Sequence, residues 1–199
     1  MPARVKLLLA SSNANKLREY RSMAEGRAID LDLLPRFREL HTFPEDAPTF
    51  AENAAGKALH YSRSSEEIVF ADDSGLVVPA LDGAPGVHSA RYAGPDANDA
   101  KRIGKLLNEM RGMKGEERRA RFVCVIAAAR AGQMLAVMSD SAEGIIADGP
   151  RGHEGFGYDP IFYFPVRSKT FAELREAEKN EMSHRGKAFR KLLADHLSR

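Results

Sequence analysis

The stretch Ile68-Val69-Phe70-Ala71-Asp72-Asp73-Ser74-Gly75-Leu76-Val77 constrains this chain more than any other. An apolar, β-branched run reads as a buried strand, and it feeds directly into two adjacent carboxylates, a hydroxyl and a glycine. A strand that ends in acids places them at the rim of a sheet, where α/β proteins hold their ligands. Two neighbouring carboxylates repel each other unless a cation or a proton sits between them. Hard cations such as Mg2+ take oxygen ligands and usually complete their shell with substrate phosphates. The plain alternative is an acidic β-turn, because Asp, Ser and Gly all form turns.

The rest of the pattern alternates strand with helix. Val5 to Ala10 is a short continuous apolar run and predicts a buried strand. A polar turn over Ser11 to Asn15 follows, then a helix over Lys16 to Glu25 with Leu17, Tyr20 and Met23 or Ala24 on one face. Leu31 to Leu34 is a short strand stopped by Pro35. Thr49-Phe50-Ala51-Glu52 is a capping box and predicts a helix from Phe50 to Ser62. Leu76 to Leu81 continues extended. Asn98 or Asp96 caps a helix through Met110, with Ile103, Leu106, Leu107 and Met110 as its apolar stripe. Gly112 to Glu117 is a charged loop. Arg121 to Arg130 and Met134 to Ser141 flank Ala131-Gly132-Gln133 as a β-hairpin. Asp148 to Gly157 is a glycine-rich loop, and Thr170-Phe171-Ala172-Glu173 is a second capping box. A last helix runs from His184 to Leu197, with Ala188, Phe189, Leu192, Leu193 and Leu197 inward. The expectation is an α/β fold with a mixed sheet and flanking helices, in one domain over residues 1–199.

The balance of 30 basic and 28 acidic residues gives a net charge of +2, too even to argue for nucleic acid on charge alone. The single cysteine, Cys124, lies in the apolar run Phe122 to Ile126 and reads as a small buried hydrophobe rather than a nucleophile. Val5 to Ala10 is broken by Lys6 and too short for a signal-peptide core, and no apolar run approaches the ~20 residues that cross a bilayer. The expected location is the cytoplasm, with no membrane partner.

Six segments carry candidate chemistry. Ser11-Ser12-Asn13-Ala14-Asn15-Lys16 joins a strand to a helix, where backbone N–H groups and the helix dipole favour an anion. It lacks the glycines of a Walker loop, and a polar helix cap explains it as well. Glu45, beside Asp46 in a loop stiffened by Pro44 and Pro48, is a second metal ligand or a solvated acid. Lys57 on an alanine-rich helix either snorkels or points into a site. Arg91, after the turn at Gly83 to Gly86, offers a planar fork to a phosphate or is a surface arginine. Phe156, between Gly155 and Gly157, suits stacking on a flat base, and Asp159 suits a base edge or a sugar; the alternative is a turn whose Phe156 plugs the core. Ser183 reads as an N-cap, which sets His184 and Arg185 against the helix dipole unless a ligand carbonyl rewards them. The set describes a nucleotide site with metal-assisted phosphate chemistry.

The whole chain resembles the inosine triphosphate pyrophosphatases. The resemblance is carried by Ser12-Asn13 with Lys16 and Glu19, by Thr49-Phe50 with Glu52-Asn53-Ala54 and Lys57-Ala58, and by Ala71 to Leu76. It continues through Gly83 to Gly94, Gly155 to Phe162, Glu178-Lys179 and Ser183-His184-Arg185. It implies hydrolysis of ITP, dITP and XTP to monophosphate and diphosphate, a Mg2+ requirement, a homodimer, and two lobes around a central nucleotide-binding cleft. By position it implies that Ser11, Ser12, Asn13, Ala14, Asn15 and Lys16 cradle the triphosphate and that Lys57 and Arg91 add positive charge. Glu45 and Asp73 would bind the metal, and Asp73, with Asp72 as helper, would activate water. Ser74 would contact substrate, Phe156, Gly157, Tyr158 and Asp159 would hold the base, and Lys179, His184 and Arg185 would read its 6-oxo edge. Such donors reward the carbonyl of hypoxanthine or xanthine and are left unpaired by the amine of adenine. His88, Met182 and the loop Arg151-Gly152-His153-Glu154 depart from the expected pattern without removing a functional group.

Two rivals follow. A pyrophosphatase for modified pyrimidine nucleotides would keep the metal chemistry and change the base pocket. A nucleic-acid-binding module would use Lys179, Arg185, Lys187, Arg190 and Lys191, although a solvated helix face explains these too.

Overall fold

A computed structural model describes residues 4–196. The strands are β1 (Val5–Leu9), β2 (Ile29–Leu33), β3 (Ile68–Val77), β4 (Arg119–Arg130), β5 (Gln133–Ile146), β6 (Phe162–Phe164) and β7 (Lys169–Thr170). The helices are α1 (Ala14–Ala24), α2 (Phe50–Ser62), α3 (Asp99–Glu109), α4 (Glu176–Met182) and α5 (His184–His196). The strands form one sheet in the order β2-β1-β3-β4-β5-β6-β7. β1 runs parallel to β2 and β3, whereas β6 is antiparallel to β5 and β7. The two-residue Ala131-Gly132 turn joins β4 to β5, and a connection that short joins only antiparallel neighbours. The sheet is therefore mixed, as the alternating pattern predicts.

Two compact units emerge. The first gathers the chain up to Asp73, Cys124–Asp140 and the stretch from Arg185 onward; the second gathers Ser74–Val123 and Ser141–His184. Each has its own core. In the first, Leu7, Leu9, Tyr20, Phe70, Ile126, Phe189 and Leu192 pack together, with Tyr20 edge-on to Phe70 at 5.1 Å and to Phe189 at 5.0 Å. In the second, Leu76, Leu106, Met110, Ile146 and the rings of Phe122, Phe162 and Phe171 do so. Cys124 is buried, and burial together with nearby Asp72 pushes its thiol up to about 12, so it is an inert core residue.

Several boundaries differ from the sequence reading. β3 does not stop at the acid pair but continues to Val77, and the chain then enters a 3-10 turn at Pro79–Leu81 instead of staying extended. The local turn preference of Asp-Asp-Ser-Gly is overridden because both acids find partners within the strand geometry, as described below. The rim argument survives in another form. β1 pairs with β3 only from Leu7↔Ile68 to Leu9↔Phe70, so Asp72 and Asp73 lie just past the carboxyl end of the parallel neighbour. β4 begins two residues earlier than expected and β5 runs on to Ile146. β6, β7 and α4 are too short to show periodicity. Leu197 lies outside the described residues.

Candidate active site

Consecutive strand residues point to opposite faces of a sheet. Asp72 and Asp73 do so, and Lys16 and Lys57 lower the pKa of both. Asp72 shares the face of Ile68 and Phe70. Its Oδ1 is 3.0 Å from Lys16 Nζ, and its Oδ2 is 3.5 Å from Arg185 Nε. Arg185 Nη1 donates to Glu19 Oε2 at 2.6 Å. Asp72, Glu19 and Arg185 are all buried. Burial opposes the charge on Asp72, but Lys16, Arg185 and Lys57 outweigh it and hold the carboxyl at about 2. Asp72 is thus held as an anion inside a cation cluster.

Asp73 faces α2. Asn53 Nδ2 donates to Asp73 Oδ2 at 3.0 Å. Lys57, one turn further along the helix, donates to the main-chain oxygen of Asp72 at 2.7 Å and to Glu45 Oε2 at 3.0 Å. Burial raises the pKa of Asp73 above the usual carboxylate range; Lys57, Lys16 and Asn53 pull it down, and Glu45 adds to the rise. Glu45, Lys57 and Asp73 therefore form one electrostatic group, as their assignment to a common site requires. Thr49 caps α2, its Oγ1 accepting from the N–H of Glu52 at 3.2 Å, which fixes the start of the helix that carries Asn53 and Lys57.

The segment after β1 is an ordinary helix cap in its local bonding. Asn13 Oδ1 accepts from the N–H groups of Asn15 at 2.9 Å and Lys16 at 3.3 Å, and Ser11 Oγ accepts from Asn13 N at 3.1 Å. Two of the first-turn N–H groups predicted to meet an anion are thus occupied by Asn13. Lys16 reaches Asp72.

The second unit holds the predicted base-binding residues. Asp159 is buried; its Oδ2 accepts from Phe156 N at 2.9 Å and from Lys179 Nζ at 2.5 Å. That carboxylate folds the loop and neutralises Lys179. Gly155 has φ +74° and a Cβ there would stand 2.1 Å from Asp159 Oδ2, so only glycine admits this approach. Phe156 is half-buried with Lys179 Nζ 5.0 Å from its ring centre. Gly157 N donates to Asp99 Oδ2 at 2.7 Å, and Tyr158, buried, donates its hydroxyl to the oxygen of Ser89 at 3.0 Å. His184 stacks on Phe122 at 4.7 Å and 10°. Arg91 is exposed at the end of a 3-10 turn, and Ser74 is half-buried in β3. Arg185 falls in the first unit, beside Asp72 and Glu19.

No group of three or more His, Cys, Asp or Glu side chains forms a metal cage among the described residues. The donor set nevertheless fits a hard divalent cation. Glu45 and Asp73 are oxygen donors, burial together with the nearby Glu45 disfavours charge on Asp73, and Mg2+ binds through one or two carboxylates plus waters and substrate phosphates. The C-terminal basic residues are not uncommitted charge. Lys187 and Lys191 lie 3.8 and 2.9 Å from Asp140, and Lys179 and Arg185 are buried in ion pairs.

Sequence reasoning assigned no role to Glu19 or Asn53, although both stand in the motifs. Asn53 had one local signal: a polar residue four positions before Lys57, on the same helical face.

Comparison with known proteins places the chain among named relatives. A model described as Ham1 family matches residues 7–195. A dITP/XTP pyrophosphatase from Geobacillus kaustophilus is 50% identical over 187 residues, which cover 94% of this chain and 92% of that protein. One from Bacillus licheniformis is 44% identical over 95% of this chain and 96% of its own length. The structure of a HAM1 protein from Coxiella burnetii superposes with a TM-score of 0.87 at 40% identity, covering 98% of this chain and all of that one.

Proposed function

The chain belongs to the Ham1 family, and from that premise we infer that it is a pyrophosphatase that hydrolyses the non-standard purine nucleotides ITP, dITP and XTP to monophosphate and diphosphate. The observation that carries the reading is the group Asp73, Asn53, Lys57 and Glu45 just past the carboxyl end of β1. Water attacks the α-phosphorus; its oxygen forms the new P–O bond, the bond to the β-bridging oxygen breaks, and the proton passes to Asp73. A carboxylate raised towards neutrality by burial is a better base than an exposed one. Lys57 and Lys16 stabilise the charge of the departing diphosphate, joined by Arg91. Ser11, Ser12, Asn13, Ala14 and Asn15 line the triphosphate in this reading, and Ser74 contacts the substrate. Glu45 and Asp73 would hold Mg2+, which when bound neutralises the phosphate oxygens.

The second unit reads the base. Phe156 stacks on it, Gly157, Tyr158 and Asp159 shape its loop, and Lys179 and His184 donate to the 6-oxo oxygen. Arg185, which also pairs with Glu19 and lies near Asp72, is the third donor in this reading. The chain passes from one unit to the other at 73/74, 123/124, 140/141 and 184/185, so neither unit is one uninterrupted segment, and we read residues 1–199 as a single catalytic domain. Among the described residues no helix is long and apolar enough to cross a membrane, and we place the activity in the cytoplasm, where the nucleotide pool lies. We take the active form to be a homodimer. Leu135 and Val137, 41% and 46% exposed on one face of β5, are apolar surface suited to such a contact.

The test is diphosphate release from ITP, dITP, XTP, GTP, ATP and dUTP with Mg2+ and with chelator. Mg2+-dependent turnover of ITP and XTP over GTP and ATP is expected. Preference for dUTP would keep the metal chemistry and discard the base assignment, and no turnover of any would discard the enzyme reading.

A further inference from the structure

One face of α2 carries Asn53, Gly56, Lys57, His60 and Tyr61, the spacing of a single helical stripe. Every member touches either the loop that carries Glu45 or the strand that carries the acids. At the far end of the loop, Tyr61 Oη accepts from Phe43 N at 3.1 Å, and His60 Nε2 lies 2.8 Å from the oxygen of His41. The Phe43 ring lies over Gly56 so closely that a Cβ there would stand 2.3 Å from Cζ. In the middle, Lys57 holds Glu45. At the near end, Asn53 Oδ1 accepts from Ala47 N at 3.1 Å, and its Nδ2 donates both to Ala47 O at 3.2 Å and to Asp73 Oδ2 at 3.0 Å. These partners admit one orientation of the amide only, because the N–H of Ala47 needs the oxygen and the two acceptors need the nitrogen. Asn53 is buried.

We infer that Asn53 is a positioning residue that ties the Glu45 loop to Asp73, so that one helix face sets the separation of the two carboxylates. The inference rests on the reading of Glu45 and Asp73 as the metal-binding, water-activating pair. Lys57 also bridges loop and strand, through Glu45 and the Asp72 main-chain oxygen, but Asn53 is the side chain that bonds the loop backbone to the Asp73 carboxylate itself. Loss of such a tether changes the pair's geometry without removing a reacting group, an effect typically worth 10–100-fold.

The experiment is a double-mutant cycle on diphosphate release from ITP, read as kcat and as the Mg2+ concentration for half-maximal rate, with thermal unfolding as the control for folding. The variants are Asn53→Ala, Asn53→Asp, Glu45→Gln, and Asn53→Ala with Glu45→Gln. Asn53→Ala is expected to lower kcat roughly 10–100-fold and to raise the half-maximal Mg2+ concentration. Asn53→Asp retains the acceptor for Ala47 but sets an oxygen against Asp73, so it is expected to fall below Asn53→Ala. The double variant is expected to lose clearly less than the product of the two single losses, because part of what Asn53 contributes is the placement of Glu45. Gly56→Ala, which displaces Phe43 without touching Asp73, should raise the half-maximal Mg2+ concentration in the same direction. Retained kcat in Asn53→Ala, an Asp variant faster than the Ala variant, or a double loss equal to the product of the singles would each overturn the inference. In those cases wild-type turnover and the Glu45→Gln loss would still stand. A wild-type chain that releases no diphosphate, or a Glu45→Gln variant as active as wild type, would instead overturn the functional reading and the inference with it.

Discussion

Asp72 and Asp73 are chemically identical neighbours with opposite environments. On one face of β3, Asp72 meets Lys16 and Arg185 and is held at about 2. On the other, burial raises the pKa of Asp73 and Glu45 adds to the rise, against Lys57, Lys16 and the Asn53 amide. The difference shows what strand alternation does: one peptide bond separates a permanently charged structural anion from a carboxylate able to accept a proton. The first face is built from α1 and α5 and completes an ion-pair network. The second is built from α2 and the Glu45 loop.

Four measurements would break or sharpen that contrast. The largest effect belongs to Asp73→Asn, which should reduce kcat roughly 10³-fold while leaving the unfolding midpoint unchanged or higher, because the folded state bears a cost to keep this carboxylate charged. Asp72→Asn should do the reverse and lower the midpoint; if both variants behave alike, the two faces are not distinct. Next is Arg185→Ala, which takes from buried Glu19 its arginine partner and from Asp72 one of its cations, and should cost about 3–5 kcal/mol in denaturant titrations.

The third is acid unfolding. The folded pKa of Asp72 is depressed from 3.8 to about 2, so its contribution is fully present above pH 4 and is lost as pH falls towards 2. A shift of that size corresponds to roughly 2 kcal/mol, and Asp72→Asn should flatten the fall in stability over that window. Asp73, with a raised pKa, contributes the opposite sign, so Asp73→Asn should leave the acid limb as steep or make it steeper. The smallest effects are the caps. Thr49→Ala and Asn13→Ala should each cost about 1 kcal/mol, and only the α2 variant should also disturb Mg2+ dependence.

Much of this was legible from residue order. Thr49 to Glu52 gave the start of α2, and the periodicity of Ile103, Leu106 and Met110 gave α3, because those signals are local. The acid pair marked the site for the same reason. Its division between two faces was not legible, since Ser74 and Gly75 read as a turn until the partners of each acid are known. The pairing of Arg185 with Glu19 was not legible either, because the two lie 166 residues apart in sequence. Asn53 reads as an unremarkable helix polar residue until Ala47 and Asp73 are brought to it by the loop and the strand. Local periodicity reports which face a residue occupies, not which distant charge will meet it.

The core of the first unit joins the two ends of the described chain: Leu7 and Leu9 of β1 pack in one cluster with Ala188, Phe189 and Leu192 of α5, and Glu19 takes Arg185 as its buried partner. During synthesis at ~5–20 residues per second, roughly 10–30 s separate the appearance of Glu19 from that of Arg185. Through that interval the N-terminal strand and helix have emerged from the ribosome while the helix that seals them has not been made. The nascent chain therefore holds Glu19 without its buried partner, and this core without one of its walls, until α5 is made, which makes α5 the element that completes the unit.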